Sequence, residues 1–210
     1  MKKTILMLVS FLFLSTGSLV AQEKNWKARV RVISVSPNES AKIQVIGGDV
    51  KISNEVVPEL DFTYYFNKNW AAELILATTN HDVKAIGTSA GNIPLGDVWL
   101  LPPTLTFQYH LTSLKNIEPY IGAGINYTIF YNADSGAVVN NVKYDNTFGF
   151  ALQTGLDIDL NKKWFLNFDL KKIFLNTTAT VNATTALGAT VDADVDIDPL
   201  ILGFGFGMRF

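Results

Sequence analysis

The last nine residues read LGFGFGMRF: Leu202, Phe204, Phe206, Met208 and Phe210 fall at every second position, with Gly203, Gly205, Gly207 and Arg209 between them. A period of two belongs to extended chain, whose successive side chains point to opposite faces. One face here is large and apolar, and the other is nearly bare. The same period recurs at 26–35, 56–66, 70–79, 99–111, 119–131, 147–160 and 164–174, and the last stretch is entered from Asp194, which makes eight segments in all. In the first, Trp26, Ala28, Val30 and Val32 oppose Lys27, Arg29 and Arg31; in the seventh, Trp164, Leu166, Phe168 and Leu170 oppose Asn167, Asp169 and Lys171.

Soluble sandwiches also alternate, so the connections decide. Links 67–69, 112–118 and 161–163 are short, whereas 36–54, 80–98, 132–146 and 175–193 are long, and the two kinds alternate around the chain. An even number of antiparallel strands, with short turns at one end and long loops at the other, is the pattern of a transmembrane β-barrel. The expected fold is all-β: an eight-stranded antiparallel barrel in the outer membrane, with periplasmic turns and extracellular loops. Its apolar faces meet lipid, and its closure pairs every backbone donor that an open sheet would leave bare in hydrocarbon.

Residues 1–21 read as a secretory signal. Lys2 and Lys3 precede an apolar run from Ile5 to Val20, and Ala21 is a small residue at a plausible cleavage point. The barrel is therefore expected over 22–210. Without Lys2 and Lys3, 15 of the 17 basic residues remain against 19 acidic ones, a net charge of −4 that gives no reason to expect a nucleic-acid partner. Beyond the signal no run is long and apolar enough for a spanning helix. Cysteine is absent, so no disulfide supports this exported chain.

Aromatics near the short turns and termini (Trp26, Phe66, Trp70, Tyr109, Tyr120, Trp164 and Phe210) are expected to form the periplasmic interface belt, and Trp99, Tyr131, Tyr144 and Phe174 the outer one. The opposite parity enters a lumen that side chains can fill. Its ionisable members are Arg29, Arg31, Glu59, Asp61, Asp157 and Arg209, expected as a charge network, with Glu73, Asp169, Lys171 and Ile75 as a lumen gate. Ions in a confined bore must pair, so salt bridges are expected toward the periplasmic half. Gly122, Gly124, Gly149, Gly155, Gly203, Gly205 and Gly207 also point inward; they either permit bending or leave a cavity along their wall, where Ile75, Ile173, Tyr65 and Ile201 would touch a ligand. His81 reads as a solvated loop residue, and its separation from His110 argues against a shared metal site. No catalytic set, metal site or cofactor is expected.

The stretches LPPTLTF (101–107) and PYIGAGINYTIF (119–130), with NWAAELILATTNHDVKAIG (69–87) and DPLILGFGFGMRF (198–210), resemble the outer membrane protein W (OmpW) family. Met208 and Leu200 depart from residues that are often aromatic there. The resemblance implies an eight-stranded barrel that admits small hydrophobic molecules and releases them sideways through its wall. It implies an apolar constriction at Ile75, whose counterpart maps onto Lys171 and does not match. It also implies that Phe210 is the aromatic end recognised by the barrel-assembly machinery.

Three functions compete. A narrow passage for small hydrophobic molecules is the expectation. A structural or surface-interaction barrel with a closed, salt-bridged lumen, its loops meeting lipopolysaccharide or host molecules, is the alternative. A lipid-modifying enzyme lacks a catalytic constellation.

Overall fold

The period-two stretches form strands, not always one apiece, and the long links form strands as well. The computed structural model describes residues 25–112, 114–184 and 188–210, so the expected signal lies outside the described residues. In chain order the strands are β1 (Trp26–Ser36), β2 (Ser40–Ile43), β3 (Asp49–Ile52), β4 (Glu55–Tyr65), β5 (Trp70–Ala77), β6 (Thr79–Thr88), β7 (Gly91–Leu101) and β8 (Thr104–His110). They continue as β9 (Ile117–Ser135), β10 (Asn141–Tyr144), β11 (Thr147–Asp159), β12 (Trp164–Phe174), β13 (Asn176–Ala183), β14 (Ala189–Asp196) and β15 (Leu200–Arg209). Eight of them close antiparallel in the order β1-β4-β5-β8-β9-β11-β12-β15, and β15 pairs back onto β1. The seam is locked at the termini: Trp26 N–H donates to the Phe210 carbonyl at 3.1 Å, and Phe210 N–H to the Trp26 carbonyl at 2.9 Å.

The parity is as the sequence requires. Val30, Val56, Leu105, Ile121, Phe148 and Leu202 lie on the outer face, where lipid replaces a protein core. At the periplasmic end Trp70 stacks on Phe107 and Trp164 on Phe206, each pair 4.9 Å apart. Tyr120 is a correction to that belt. It shares the parity of Gly122 and Gly124, so its ring enters the lumen and is buried. Tyr144 likewise leaves the outer belt, turning inward to stack on Phe130 at 5.5 Å, while Trp99 and Tyr131 remain neighbours on the outside.

The stretch 99–111 is two strands, not one. Pro102 and Pro103 offer no N–H to a ladder, so pairing stops there and the strand changes partners. Below the break β8 pairs with β5 and with residues 120–126 of β9; above it β7 pairs with β6 and with residues 129–135 of β9. Together with β3 on one side, and with β10-β13-β14-β2 on the other, these strands carry the wall beyond the lipid. There the sense of the alternation inverts. In β14, Val191, Ala193 and Val195 are buried while Asp192, Asp194 and Asp196 face water. In β6, Val83 and Ala85 are buried while Asp82 and Lys84 are exposed. Inside the membrane the outer solvent is fat and the bore is polar; above it the outer solvent is water and the bore is apolar.

Candidate functional site

The lumen is built in two layers by a single parity. On β1 the inward residues run Lys27, Arg29, Arg31, then Ile33 and Val35; on β12 they run Asn167, Asp169, Lys171, then Ile173. The charged part of each run occupies the membrane level and the apolar part lies above it.

Register assembles the lower layer. Arg29 faces Asp61 and Arg31 faces Glu59 directly across the β1–β4 ladder, so each cation meets an anion as soon as the strands pair. Arg29 Nε lies 2.6 Å from Asp61 Oδ1, and its Nη2 donates to Thr63 and to the Glu73 carboxylate. Arg31 reaches Glu59 at 2.7 Å, Asp61 at 3.0 Å, Glu73 at 3.2 Å and Asp169 at 3.3 Å. Glu73 Oε2 accepts from Gln108 Nε2 at 2.6 Å, Gln153 Nε2 at 2.8 Å and Thr106 at 3.3 Å. Tyr120 and Gln153 both donate to Asp169 Oδ2 at 2.7 Å. Nearer the periplasm, Lys27 bridges Glu118 at 2.7 Å and Asp157 at 2.8 Å, and Arg209 reaches Glu118 at 3.2 Å and Asp159 at 2.7 Å. Ions buried to this depth persist only because each has partners; removing one would strand the others.

All ten residues singled out for the lumen face it: Arg29, Arg31, Glu59, Asp61, Asp157 and Arg209, with Glu73, Asp169, Lys171 and Ile75. Glu73 and Asp169 sit within the salt-bridged layer rather than at its rim. Ile75 and Lys171 are at its upper boundary. Lys27, Glu118, Tyr120, Gln108, Gln153 and Asn167 are equally part of the network, although the sequence reading did not single them out. Parity would have found all except Glu118, which falls in a segment read as a turn.

The inward glycines do not open a cavity beside them. A Cβ on Gly155 would lie 2.3 Å from the Tyr120 ring, and one on Gly207 would lie 2.3 Å from the Phe165 ring. On Gly205 it would lie 2.4 Å from the Val30 carbonyl. The bare positions are sockets for Tyr120, Phe165 and the arginine stems, so the space they release is already filled.

The free space is instead in the upper layer, a cavity of about 110 Å³ walled by residues such as Ile33, Val35, Val98, Ile173, Val195 and Ile201. Tyr65, expected beside Ile75 and Ile173, is far below: its hydroxyl donates to Glu118 at the periplasmic end. Glu59, Lys171, Ile75, Thr104 and Thr128 join the cavity lining where it meets the charged layer, and form its floor. Lys171 Nζ donates to Glu59 Oε2 at 3.3 Å and stands 3.7 Å from Asp169 Oδ1. Glu59 Oε1, although near Arg31 Nε, receives no well-aligned hydrogen bond.

His81 corrects another expectation. It is buried in the cavity wall, with Nδ1 2.8 Å from the Ser53 carbonyl and Nε2 3.0 Å from Thr79 Oγ1. A carbonyl only accepts, so Nδ1 carries the proton and Nε2 accepts from the threonine. Burial lowers the pKa of His81 below its ordinary value, against the opposing pull of the Ser53 carbonyl and Glu55. His110, Glu118 and Asp157 bring three ligand-type atoms within 4.8 Å of one another. Lys27 Nζ already bridges the two carboxylates, so an ammonium fills the place a metal would need.

One seam of the cavity differs from a continuous ladder. Between β9 and β10 the Phe130 N–H donates to the Asn146 side chain at 2.9 Å, and the Phe130 and Tyr144 rings close the gap. Phe130 and Tyr144 line the inner cavity and are also among the residues of a second groove that includes Tyr131, Asn132, Val142 and Asn146.

A model of the OmpW family matches residues 22–210. The chain is 43% identical over 197 residues to an outer-membrane protein of Sinorhizobium fredii, y4mB, covering 93% of this chain and 84% of that protein. It is 34% identical over 220 residues to the dibenzothiophene metabolism operon protein PahQ of Pseudomonas aeruginosa, across the whole of both chains. Among solved structures, the crystal structure of the outer membrane protein OprG from Pseudomonas aeruginosa superposes with a TM-score of 0.82 at 29% identity, covering 89% of this chain and 95% of that one.

Proposed function

This chain belongs to the OmpW family of outer-membrane β-barrels, and we propose that it is a non-enzymatic passage that takes small hydrophobic molecules from outside and delivers them sideways into the membrane. The observation that carries this reading is the stratified lumen: an apolar cavity stands directly on a salt-bridged layer. A hydrophobic molecule is favoured in the cavity and strongly disfavoured in the charged layer, where it would displace paired ions. Straight descent is therefore blocked. The exit is the seam at Phe130 and Tyr144, which separates the cavity from a groove at the level of Trp99 and Tyr131, the outer edge of the lipid. The relation to a protein named for a dibenzothiophene metabolism operon supports aromatic hydrocarbons as the solute class. The same reading gives Phe210 to the barrel-assembly machinery and the outer loops to the lipopolysaccharide around them.

The test is uptake of labelled toluene into vesicles whose outer leaflet is lipopolysaccharide. The protein should accelerate uptake, Phe130→Ala should accelerate it further, and Glu73→Gln should change it less than the seam variant does. The salt-bridged layer itself favours a second reading, a structural or surface-interaction barrel with a closed lumen. Uptake equal with and without the protein would establish that reading over the first.

A further inference from the structure

The periplasmic rim repeats one short pattern. Lysine stands two residues before tryptophan in KNW at 24–26, KNW at 68–70 and KKW at 162–164, whereas Trp99 of the outer belt has Asp97 in that place. Lys24 lies outside the described residues; the other two copies are built alike. Asn67 Oδ1 accepts from the Asn69 and Trp70 N–H groups, both at 3.0 Å, and Asn161 Oδ1 from those of Lys163 at 2.9 Å and Trp164 at 3.0 Å. Each asparagine thus holds a tight turn that leaves its lysines exposed beside a tryptophan of the belt. Lys163 Nζ stands 5.6 Å from the centre of the Trp164 ring. The turns at 66–69, 111–116 and 160–163 are spaced round the ring and carry Lys68, Lys115, Lys162 and Lys163, with no acidic residue. Exposed apolar residues flank these lysines: Phe66 and Trp70, Leu114 and Ile117, and Leu160. Glu118 and Asp159, the acids next to the turns, are bridged to Arg209 at 3.2 and 2.7 Å. The outer links have the opposite balance, with seven acidic residues against four lysines in 36–54, 80–98, 132–146 and 175–193.

We propose that this rim binds the headgroups of anionic phospholipids in the periplasmic leaflet, of which phosphatidylglycerol is the simplest. The phosphate lies against a turn lysine, and the glycerol and upper acyl chain lie on the tryptophan or aliphatic side chains beside it. An indole ring prefers the interface and fixes the depth, while a lysine stem follows apolar surface and carries its ammonium to the phosphate level. A zwitterionic lipid brings its own cation beside the phosphate, so a net anion gains most from the surplus positive charge of the turns. A protein partner fits less well. Stable protein interfaces bury on the order of 1,600 Å² in a continuous patch, whereas these turns are four to six residues long and stand apart round the barrel. A lipid needs only one corner at a time. The contact is at the opposite end of the barrel from the cavity and is separate from passage.

The experiment places the full mature chain carrying Trp99→Phe in phosphatidylcholine vesicles, so that Trp26, Trp70 and Trp164 all report from the periplasmic belt. A small, equal fraction of the lipid is replaced by phosphatidylglycerol or phosphatidylcholine brominated high on the acyl chain, and quenching of the tryptophans gives their relative affinity for the rim. Expected is a preference for phosphatidylglycerol of about fivefold in low salt, the effect of one lysine near an anionic surface. It should fall below about twofold in about 1 M salt, where the screening length is about 3 Å. Combining Lys24→Gln, Lys68→Gln, Lys115→Gln, Lys162→Gln and Lys163→Gln should bring the ratio close to one at either salt. A companion protein that keeps Trp99 alone, through Trp26→Phe, Trp70→Phe and Trp164→Phe, should show no preference at the outer belt. A ratio near one at the rim in low salt overturns the proposal, as does a preference that the glutamine variant retains. An equal preference at Trp99 overturns it too, since the selectivity would then belong to the barrel as a whole. Should the glutamine variant fail to insert, the salt series on the unaltered lysines decides: a preference indifferent to salt is not ionic and overturns the assignment.

Discussion

Glu73→Gln exchanges one carboxylate oxygen for an amide nitrogen at the most densely bonded point of the charged layer. Arg29, Arg31, Gln108 and Gln153 all present N–H groups to this side chain, and Thr106 adds a hydroxyl. An ionised carboxylate only accepts, and so satisfies all of them. An amide must point its NH₂ either at the two guanidinium groups or at the two glutamine amides, and donor then meets donor in both orientations. Breaking one partner of a buried ionic network costs about 3–5 kcal/mol. The lower end applies, because Arg29 keeps Asp61 at 2.6 Å and Arg31 keeps Glu59 at 2.7 Å and Asp61 at 3.0 Å. The expected loss is about 3 kcal/mol. With the urea dependence of small proteins near 1–3 kcal/mol per molar, the midpoint should fall by roughly 1–3 M. The assay is urea unfolding in lipid bilayers followed by tryptophan fluorescence, which is informative because Trp26, Trp70, Trp99 and Trp164 all lie on the barrel wall. A midpoint unchanged in Glu73→Gln would show that these donors find water or other partners, and would refute the view of the layer as a closed ionic plug.

Gly155→Ala should destabilise by about 1–3 kcal/mol or prevent assembly, since the new methyl group meets the Tyr120 ring 2.3 Å away and the Phe168 carbonyl at 2.7 Å; folded yield after refolding into bilayers measures it. Leu202→Arg places a cation on the lipid face, where midplane substitutions cost about 2–4 kcal/mol, and should lower the folded fraction in the same assay, whereas Leu202→Phe should be near neutral. His81 predicts a pH effect confined to the outer chamber. Its folded pKa is lowered by burial, so its contribution is complete above the ordinary value of about 6.5. As pH falls below that, the unfolded segment takes up the proton first and stability is lost down through the depressed folded value. Protection factors at the β6 amides, corrected for the intrinsic slowing of exchange at lower pH, should fall over that range in the wild type and lose the dependence in His81→Gln.

The parity of the chain could be read without coordinates, and with it the eight staves, their antiparallel order and the list of inward charges, because lipid on one side and a narrow bore on the other divide odd positions from even ones. Three matters could not be read that way. Pro102–Pro103 ended a strand that the alternation carried through, because a change of pairing partner is invisible to a single-strand pattern. The buried His81 of β6 lay in a link read as a loop, because above the membrane the same period continues with water and apolar bore exchanged, and nothing local marks the crossing. The glycine wall suggested space, but whether a bare position is a void or a socket depends on which ring arrives from the neighbouring strand: Tyr120 at Gly155, Phe165 at Gly207. Local alternation determined which face each residue takes, since that is a property of one extended strand. The height of each residue, its partner across the bore, and the placing of the cavity on the ion layer were decided only by register and closure, which join residues such as Arg31 and Asp169 that lie far apart in the chain.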